Sequence, residues 1–374
     1  MSQQEAIENS QDLALPVTAT TAYIHLNALA HNLKLIKNIA PKSKLLAIVK
    51  ANGYGHGAEK IARYADLADG FGVARLQEAI QLREIGIKQP ILLLEGFYDP
   101  QDVATLAEYD LQTAVHCEEQ LKHLEQANLD KPVQVWLKID TGMHRLGVDP
   151  ENVAGFKARL EACDNVAKPI HFISHFCCAD ESDSDMTNQQ IACFEQFTTE
   201  QDCRSIAASA GILAWPQSHF DWVRPGIIMY GISPFADKTA QDLGFQPVMT
   251  LTSHLISVKK VKAGETVGYG ASWQAPQDTT IGVIAIGYGD GYPRTAPNGT
   301  PVLINGRIVP IAGRVSMDMM TVDLGPDSQD KFGDEVELWG ANLPVEHVAQ
   351  WVGTIGYELV TQLTSRVVMA YQEN

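Results

Sequence analysis

The segment Leu45–Gly57 reads LLAIVKANGYGHG, an apolar run that ends at one lysine and leads into three closely spaced glycines. The apolar run is typical of a buried strand, and the glycines predict a turn directly after it. A lysine that leaves such a strand in dry surroundings can lose its proton and form a Schiff base with a carbonyl. The glycines let backbone N–H groups approach a ligand, and Tyr54 can offer its hydroxyl to a phosphate. Taken alone, Lys50 is more simply a strand-end lysine that reaches solvent, and the rest of the chain decides between the two readings.

Apolar runs alternate with helical patterns over the first two thirds of the chain. Eight runs are strand candidates: Leu45–Val49, Phe71–Ala74, Ile91–Leu94, Leu111–Val115, Val133–Ile139, Ile170–Phe176, Ser205–Ser209 and Trp222–Gly226. Helical periodicity marks the segments Leu76–Ile85, Gln101–Ala107 and Glu118–Ala127 between them. Before the first run, Asn27 is a candidate N-cap for a helix that ends at Pro41. Eight strands with helical crossovers predict a (β/α)8 barrel.

The pattern changes after residue 248, where β runs follow one another with few helical patterns. These runs are Leu255–Val261, Ile281–Ile286, Val302–Ile304, Arg307–Ile311, Met319–Val322 and Val336–Trp339. Asn305-Gly306 predicts a type I′ hairpin turn between two of them, and helical periodicity returns at Val345–Val352. We therefore predict an α/β protein with a polar tail over residues 1–20, an N-terminal (β/α)8 TIM-like barrel over 21–248 and a C-terminal all-β domain over 249–374.

The composition narrows the class of protein. The 374 residues carry a formal net charge of −17, which argues against nucleic-acid binding because nucleic-acid-binding proteins present a basic face. No apolar stretch reaches the roughly 20 residues of a membrane span. Residues 1–20 lack the basic and apolar regions of a signal peptide, so we expect a cytoplasmic protein. The six cysteines form no Cys-x-x-Cys pair, and we expect neither a disulfide framework nor a metal site.

Candidate site residues fall at or just after the ends of predicted strands, where barrels carry their chemistry. They are Lys50, Lys138, Arg145, His175, Ser209 and Arg224. The segments Ala207–Gly211 and Val223–Ile227 combine small residues, a hydroxyl, a cation and free N–H groups, as in phosphate sites after the last two strands of a barrel. Tight packing alone also selects small residues, and a lone histidine such as His175 is more often a hydrogen-bonded core residue.

Lys138 and Arg145 lie close together in the sequence, and two neighbouring cations require an anion. Carbon dioxide can supply one by carbamylating Lys138, which creates a carboxylate that pairs with Arg145. Alternatively, Asp140 neutralises Arg145 and Lys138 reaches water. The spacing alone favours the second alternative.

Three Gly-rich or Asp-containing turns mark the predicted β domain: Val267–Gly270, Ile286–Arg294 and Arg314–Met319. The spacing Gly287-x-Gly289-x-Gly291 is not a dinucleotide fingerprint because no helical pattern follows it. By itself, each segment is an ordinary turn of a β-sheet.

Together these segments resemble the alanine racemase family, whose members are pyridoxal-phosphate enzymes with a barrel and a β domain. The resemblance runs from about residue 22 to 370 and is carried by Lys50–Gly57, Lys138–Gly147, Ser174–Phe176, Trp222–Gly231, the Tyr269 loop, Gly287–Arg294, Gly313–Asp318 and Thr354–Glu358. The chain departs from the family at Ala208, where an asparagine commonly precedes the phosphate-binding serine. It also has Gly53 and Gly289 where the family often has alanine.

The resemblance implies a role for each matched barrel residue. Lys50 would hold pyridoxal 5'-phosphate as a Schiff base, and Arg224 would face the pyridine nitrogen. Arg145, paired with carbamylated Lys138, would meet the substrate carboxylate. The phosphate would be bound by Tyr54, Ser209, Gly226, Ile227 and Tyr357.

The resemblance also implies a homodimer whose active sites are shared across the interface. Tyr269 of the partner subunit would be the second base, opposite Lys50, and His175 would link it to Arg224. The partner-derived entrance would be lined by Tyr288, Met317 and Asp318. The implied reaction interconverts L- and D-alanine and supplies D-alanine for peptidoglycan.

Three alternatives share parts of this pattern. A broader-specificity racemase typically carries a signal peptide, which we do not find. Decarboxylases of basic amino acids resemble the fold but do not carry the Tyr288-x-Asp290 and Met317-Asp318 segments. Non-catalytic pyridoxal-phosphate carriers resemble the barrel alone, so the predicted β domain argues against them.

Overall fold

The structure is a computed structural model that describes residues 20–373 and divides them into two units. The barrel unit consists of Ile24–Val248, Gly356–Thr361 and residues 371–373. The β unit consists of residues 20–23, Met249–Ile355 and Gln362–Ala370. Two short segments after residue 355 therefore belong to the barrel unit. The predicted polar tail lies outside the described residues except for Thr20.

Strands and helices follow the predicted order closely. The strands are β1 Thr21–His25, β2 Lys44–Ile48, β3 Gly70–Val73, β4 Ile91–Leu93, β5 Gln112–Val115, β6 Val135–Lys138, β7 His171–Ile173, β8 Cys203–Ser205, β9 Trp222–Val223, β10 Met249–Val261, β11 Thr266–Val267, β12 Trp273–Gln274, β13 Thr279–Ile284, β14 Pro301–Ile304, β15 Arg307–Pro310, β16 Met320–Asp323, β17 Glu335–Trp339 and β18 Val368–Gln372. The helices are α1 Leu26–Ile39, α2 Lys50–Tyr54, α3 Ala58–Tyr64, α4 Leu76–Glu84, α5 Asp102–Glu108, α6 Glu118–Gln126, α7 Val153–Ala162, α8 Met186–Phe197, α9 Ser209–Ala214, α10 Val345–Val352 and α11 Gly356–Thr361. Among the described residues, none of these helices combines the length and the apolarity needed to cross a membrane.

Strands β2 to β9 form one parallel sheet in the order β8-β7-β6-β5-β4-β3-β2-β9. Beyond the ends of β8 and β9, Ala208 and Arg224 form a parallel bridge. The Arg224 N–H also donates to the Ala207 carbonyl at 2.9 Å. The sheet thus nearly closes on itself, and the predicted eight-stranded barrel is confirmed.

Two local predictions are wrong. The seventh predicted run, Ser205–Ser209, is not a strand, because β8 ends at Ser205 and Ser209 already begins α9. Asn27 does not cap α1, because the chain passes directly from β1 into the helix and His25 occupies the capping position. The Asn27 side chain instead donates to the Glu373 carbonyl at 2.9 Å.

Large aromatic side chains fix the barrel strands against one another. Trp136 is 1% exposed, and its ring meets His171 edge-on at 4.7 Å and Trp222 at 6.2 Å. Its indole N–H donates to the Gln112 side chain at 2.7 Å, so its polar atom is satisfied. Burial of a side chain of this size contributes about 3 kcal/mol. The contacts join β5, β6, β7 and β9, which hold several of the candidate site residues at their carboxyl ends.

The β unit is built around the long strand β10. Residues Leu251–His254 of this strand pair with β17, and Leu255–Val261 pair with β13, with a shift of register next to Leu255. The sheet runs β15-β14-β17-β10-β1-β18, and β13 also pairs with β16. Asn305 and Gly306 have φ angles of 48° and 76°, as a type I′ turn between β14 and β15 requires. The C-terminal region is mostly strand, as predicted.

A buried histidine follows the turn after β2. His56 is fully buried, its Nδ1–H donates to the Tyr54 carbonyl at 2.8 Å, and its ring packs on Tyr230 at 4.5 Å. Its Nε2 has no hydrogen-bond partner among the described residues. Burial lowers the pKa of His56 from 6.5 to about 4. The unfolded chain therefore binds a proton between these pH values that the folded chain does not bind.

We predict that His56 lowers the free energy of unfolding by about 3 kcal/mol as the pH falls from 6.5 towards 4. His56→Gln removes the titrating group, so its free energy of unfolding should depend less steeply on pH over this range. Denaturant unfolding at a series of pH values measures the slope. The matched control is His347→Gln at an exposed position, which should keep the wild-type slope. A wild-type slope in His56→Gln would contradict the prediction.

Candidate active site

The carboxyl ends of five barrel strands bring the candidate residues to one end of the barrel. Lys50 follows β2, Lys138 ends β6, and His175 follows β7. Ser209 follows β8 at the start of α9, and Arg224 follows β9 directly. Parallel strands place their carboxyl ends on the same face of the barrel, so residues far apart in the sequence meet there.

The short element α2, which begins at Lys50, is a left-handed turn and not a regular α-helix. Ala51, Asn52, Gly53 and Tyr54 have φ angles of 51°, 53°, 62° and 52°. A non-glycine residue in this conformation costs about 1 kcal/mol, and such strain persists only where the surroundings hold it. Glycine adopts this conformation without penalty, which gives a physical reason why this chain has Gly53 where the family often has alanine.

Lys50 and Lys138 lie in an electrostatically unusual setting. Burial is the main cause that lowers the pKa of Lys50; Arg145 and Arg224 lower it further, while Glu95 and Glu78 oppose them. Burial, followed by Arg224 and Arg145, lowers the pKa of Lys138 to about 8. Both amines are therefore easier to deprotonate than a free lysine, as a nucleophile or base requires.

Arg224 is a buried cation held by neutral partners. Its guanidinium donates to Ser205 Oγ at 2.8 Å, to the Ser174 carbonyl at 2.7 Å and to the Ile206 carbonyl at 3.0 Å. Burial lowers the pKa of Arg224 to about 9, so the side chain remains a cation at neutral pH. Among residues 20–373, Lys50, Lys138, Arg145 and Arg224 form no ion pair with a carboxylate. This end of the barrel therefore carries positive charge that an anionic ligand would neutralise.

His175 is fixed from both its backbone and its ring. Its Nδ1 accepts from Arg224 at 3.1 Å, and its carbonyl accepts from the Gln190 side chain at 3.0 Å. Gln190 is also bonded to Thr141, which contacts Ser174. Burial and then Arg224 hold the pKa of His175 well below its usual value, so the ring is neutral. Since Nδ1 accepts a hydrogen bond, the proton of the neutral ring lies on Nε2.

Hydroxyl and N–H groups form a cradle of a kind that suits a phosphate. Ser209 Oγ accepts from the N–H groups of Gly226 at 3.1 Å and Ile228 at 3.3 Å. A side chain on Gly226 would place its Cβ only 2.7 Å from the Tyr54 hydroxyl, so the close approach requires glycine. Ile227 begins a short helical turn, whose first N–H groups have no partner within the turn.

Aromatic rings support the Tyr54 side of this cradle. The Tyr54 ring lies 5.0 Å from Tyr230 and 6.1 Å from Tyr357, which belongs to the α11 segment of the barrel unit. Burial raises the pKa of Tyr54 to about 12, which keeps its hydroxyl a hydrogen-bond donor. At the other side, Ala208 occupies the capping position of α9 and offers no side-chain hydrogen bond. The cap that an asparagine would provide is therefore absent from the described cradle.

The alternative in which Asp140 neutralises Arg145 is wrong. Asp140 accepts from the N–H groups of Gly142 at 2.9 Å and His144 at 3.1 Å, and its carboxylate lies 3.2 Å from the His144 ring. Arg145 is exposed on the same loop, and Lys138 donates to the Leu94 carbonyl at 3.2 Å. The loop geometry directs the carboxylate to its own backbone because an Asp side chain readily bonds to N–H groups a few residues ahead.

The predicted residues of the β unit are exposed on three loops. Tyr269 is 70% exposed and follows β11, while Tyr288 and Met317 are 38% and 52% exposed. Arg366 joins two of these loops, because its guanidinium contacts Asp290 at 3.1 Å and Asp318 at 2.9 Å. The Gly287 and Gly289 N–H groups then complete the turn by donating to Asp290 and to the Met317 carbonyl.

Several residues that shape these sites were not predicted from the sequence. Glu95 and Glu78 act electrostatically on Lys50, Gln190 fixes His175, and Arg366 joins the exposed loops. Only Glu78 carried a local signal, because a glutamate in the third position of a helix is typical of a capping motif. Glu95, Gln190 and Arg366 act on residues far away in the sequence, and hydrophobic periodicity does not predict such contacts.

Comparison with known proteins assigns both parts of the chain to one family. The family model "Alanine racemase, N-terminal domain" matches residues 24–234, and "Alanine racemase, C-terminal domain" matches residues 248–371. The chain is 66% identical to an alanine racemase from Vibrio cholerae over 94% of this chain and 98% of that protein. It is 58% identical to the alanine racemase of Pectobacterium atrosepticum, covering 94% of this chain and 98% of that one.

Solved structures show the same similarity. The biosynthetic alanine racemase from Pseudomonas aeruginosa superimposes with a TM-score of 0.92 at 46% identity, covering 95% of this chain and 99% of that chain. The alanine racemase from Acinetobacter baumannii gives a TM-score of 0.87 at 39% identity, over 95% of this chain and 100% of that chain. Fold and sequence similarity therefore extend over nearly the whole described chain.

We predict that Arg366→Met destabilises the protein by about 2 kcal/mol, because it leaves the buried Asp290 carboxylate without its cation. Hydrogen exchange should also accelerate in the segments around Tyr288 and Met317. Denaturant unfolding and exchange mass spectrometry measure the two effects. Lys262→Met is the control, because the Lys262–Asp278 pair is exposed and should contribute almost nothing. Equal effects of the two substitutions would show that Arg366 forms only a surface ion pair.

Proposed function

The chain belongs to the alanine racemase family and is an amino-acid racemase, and from this premise we propose how its residues interconvert L- and D-alanine. The observation that carries the proposal is the convergence of two easily deprotonated lysines, a buried arginine and a hydroxyl-lined cradle at one end of the barrel. A reaction that inverts a stereocentre needs a proton acceptor and a proton donor on opposite faces of the substrate. The proposed roles follow from that requirement.

Pyridoxal 5'-phosphate fits the residues at this end of the barrel. The phosphate would lie in the cradle formed by Tyr54, Ser209, Gly226, Ile227 and Tyr357. Lys50 would hold the aldehyde carbon through its amine, and Arg224 would donate to the pyridine nitrogen. The positive charge at this end of the barrel supports this assignment. None of the described carboxylates forms an ion pair with it, and the cofactor is an anion. When bound, the cofactor supplies the electron withdrawal that makes the α-hydrogen of an amino acid acidic.

Two residues exchange the α-proton, one on each face of the substrate. Lys50 Nζ would serve one face once the substrate amine has taken its place, and its lowered pKa supports this role because a base must be neutral to accept a proton. The Oη of Tyr269 of the partner subunit serves the other face. The 70% exposure of Tyr269 in the single chain is consistent with a side chain that completes the site of a second copy. The proposal therefore includes a homodimer with shared sites.

His175 tunes the phenol of Tyr269. A tyrosine has a reference pKa of about 10, so it needs a hydrogen-bond donor to act as a base near neutrality. His175 accepts from Arg224 at Nδ1 and carries its proton on Nε2, where it can donate to the oxygen of Tyr269 of the partner subunit. The Arg224–His175 chain thus stabilises the deprotonated phenol without itself losing a proton.

Arg224 also limits side reactions. Because it stays protonated at neutral pH, Arg224 would donate a hydrogen bond to the pyridine nitrogen and would not transfer a proton to it. A hydrogen bond in place of a proton would temper the electron withdrawal that the bound cofactor supplies, so negative charge would not persist at the α-carbon. Prompt return of the proton from Lys50 or from Tyr269 of the partner subunit then favours racemisation over transamination.

Substrate binding involves Arg145 and a carbamylated Lys138. The α-carboxylate of alanine would pair with Arg145, and the Lys138 carbamate would orient the Arg145 guanidinium. Neutral Lys138 amine adds to carbon dioxide and releases one proton, which forms an N–C bond and a carboxylate. Its pKa of about 8 supports this step, because a sizeable fraction of the amine is neutral near neutral pH. The entrance would be lined by the partner's Tyr288, the partner's Met317 and the partner's Asp318.

Alanine is the proposed substrate because the similar proteins are named for it, and D-alanine for peptidoglycan is the proposed use of the product. A broader amino-acid racemase would share the same bases and differ in pocket size. The predicted decarboxylase and carrier alternatives lose support, because both family models match the chain over residues 24–234 and 248–371.

We predict that Tyr269→Phe slows racemisation by about a hundredfold or more, because one face of the substrate loses its base. Solvent deuterium incorporation, followed separately from L- and D-alanine, should fall much more for one enantiomer than for the other. Tyr109→Phe at a distant barrel position should leave both rates unchanged. Lys50→Ala should abolish both the activity and the long-wavelength absorbance of the holoenzyme. Equal, mild effects of Tyr269→Phe on both enantiomers would eliminate it as a base.

We predict a carbamate on Lys138 that is visible by 13C NMR after equilibration with labelled bicarbonate. Lys138→Ala should remove the signal. Lys168→Ala is the matched control, because burial also lowers the pKa of Lys168 but its amine donates to two backbone carbonyls and has no neighbouring Arg145. A spectrum without a carbamate signal, or a signal that survives in Lys138→Ala, would contradict the prediction.

A further inference from the structure

We propose that Glu78 is a positioning residue for Lys50: its carboxylate anchors the left-handed turn that fixes where the Lys50 amine lies. The inference rests on the proposed role of Lys50. Glu78 lies in the third position of α4, outside the predicted catalytic set, and acts on the reaction only through the backbone next to Lys50.

The carboxylate of Glu78 joins two strand ends. Its Oε1 accepts from the Ala51 N–H at 2.7 Å, and its Oε2 accepts from the N–H groups of Ala74 at 2.9 Å and Arg75 at 3.0 Å. Ala51 directly follows Lys50 after β2, whereas Ala74 and Arg75 lie between β3 and α4. One side chain therefore ties the residue after the nucleophile to the neighbouring strand of the barrel.

The turn needs this anchor because it is strained at its start. Ala51 and Asn52 are non-glycine residues with φ angles of 51° and 53°. Within the turn, the Ala51 carbonyl accepts from the Gly55 N–H at 3.0 Å and Asn52 Oδ1 accepts from the Ala58 N–H at 3.0 Å. The Ala51 N–H points out of the turn, and Glu78 is its acceptor. Loss of that acceptor leaves the strained residue next to Lys50 held from one side only.

Helix capping alone does not account for this geometry. Asp102 in the first turn of α5 is the matching acid of the next barrel segment, and one of its oxygens accepts from the N–H groups of Tyr98 and Asp99. Both of those partners belong to the loop before its own helix. Glu78 satisfies the corresponding groups with Oε2 and uses Oε1 for a bond that spans 27 residues. The charge of Glu78 also opposes the cations around Lys50.

Glu78→Gln separates the capping of α4 from the hydrogen bond to the Ala51 N–H. A glutamine oxygen can still cap α4, because Gln is accepted in this capping position, but its NH₂ group then faces the Ala51 N–H donor to donor. We expect the kcat for alanine to fall by about tenfold or more, with KM changed by less than about twofold, because a misplaced base is felt in the chemical step. Amide hydrogen exchange in the holoenzyme should accelerate at residues 50–55.

Asp102→Asn is the matched control and should keep the wild-type kcat and the wild-type exchange at residues 50–55. Wild-type exchange at these residues in Glu78→Gln, or losses of kcat and thermal stability equal to those of Asp102→Asn, would overturn the proposal. The exchange measurement does not depend on racemisation. If the wild-type protein did not racemise alanine, the proposed function would fail while the anchoring of the turn by Glu78 would still be tested.

Discussion

Positive charge that no described carboxylate pairs directly, at the carboxyl end of the barrel, is the constraint on which the site depends. Lys50, Lys138, Arg145 and Arg224 act on one another electrostatically, and none of them forms an ion pair within residues 20–373. Burial of like charges is unfavourable unless an anion accompanies them. An anionic cofactor, a carbamate and a substrate carboxylate each relieve part of this repulsion. Burial first, and then the same repulsion, lowers the pKa of both lysines and makes them easier to deprotonate.

The fold maintains this arrangement with neutral hydrogen bonds and stored backbone strain. Arg224 is held by hydroxyl and carbonyl oxygens, so its charge remains available to a ligand. His175 is held by Gln190 and by Arg224, which fixes the position of its proton on Nε2. The left-handed turn after Lys50 fixes the position of the amine at a cost in backbone strain, which a regular helix at that position would avoid. Rigid placement is what a reaction that removes a proton from one face of the substrate and returns a proton to the other face requires.

The barrel and the positions of its site residues could be predicted from the sequence, because eight apolar runs repeat and the rule for strand ends places Lys50, Lys138 and Arg224 together. The roles of those residues could be predicted only from the resemblance to a family. The strand over Ser205–Ser209 was wrong because small residues suit a strand and a tight helix start equally. The Asp140–Arg145 pair was wrong because local N–H groups compete for an Asp side chain. Glu78 and Arg366 act through contacts that only the folded chain creates.

The most direct test of the account is the circular dichroism of L-alanine incubated with the purified holoenzyme. We predict a yellow protein that drives the signal to zero, and the same endpoint when the reaction starts from D-alanine. An endpoint of zero from both enantiomers requires proton exchange on both faces of the substrate. A yellow protein that leaves the L-alanine signal unchanged would contradict the account, and L-lysine and L-ornithine would then be the next substrates to test.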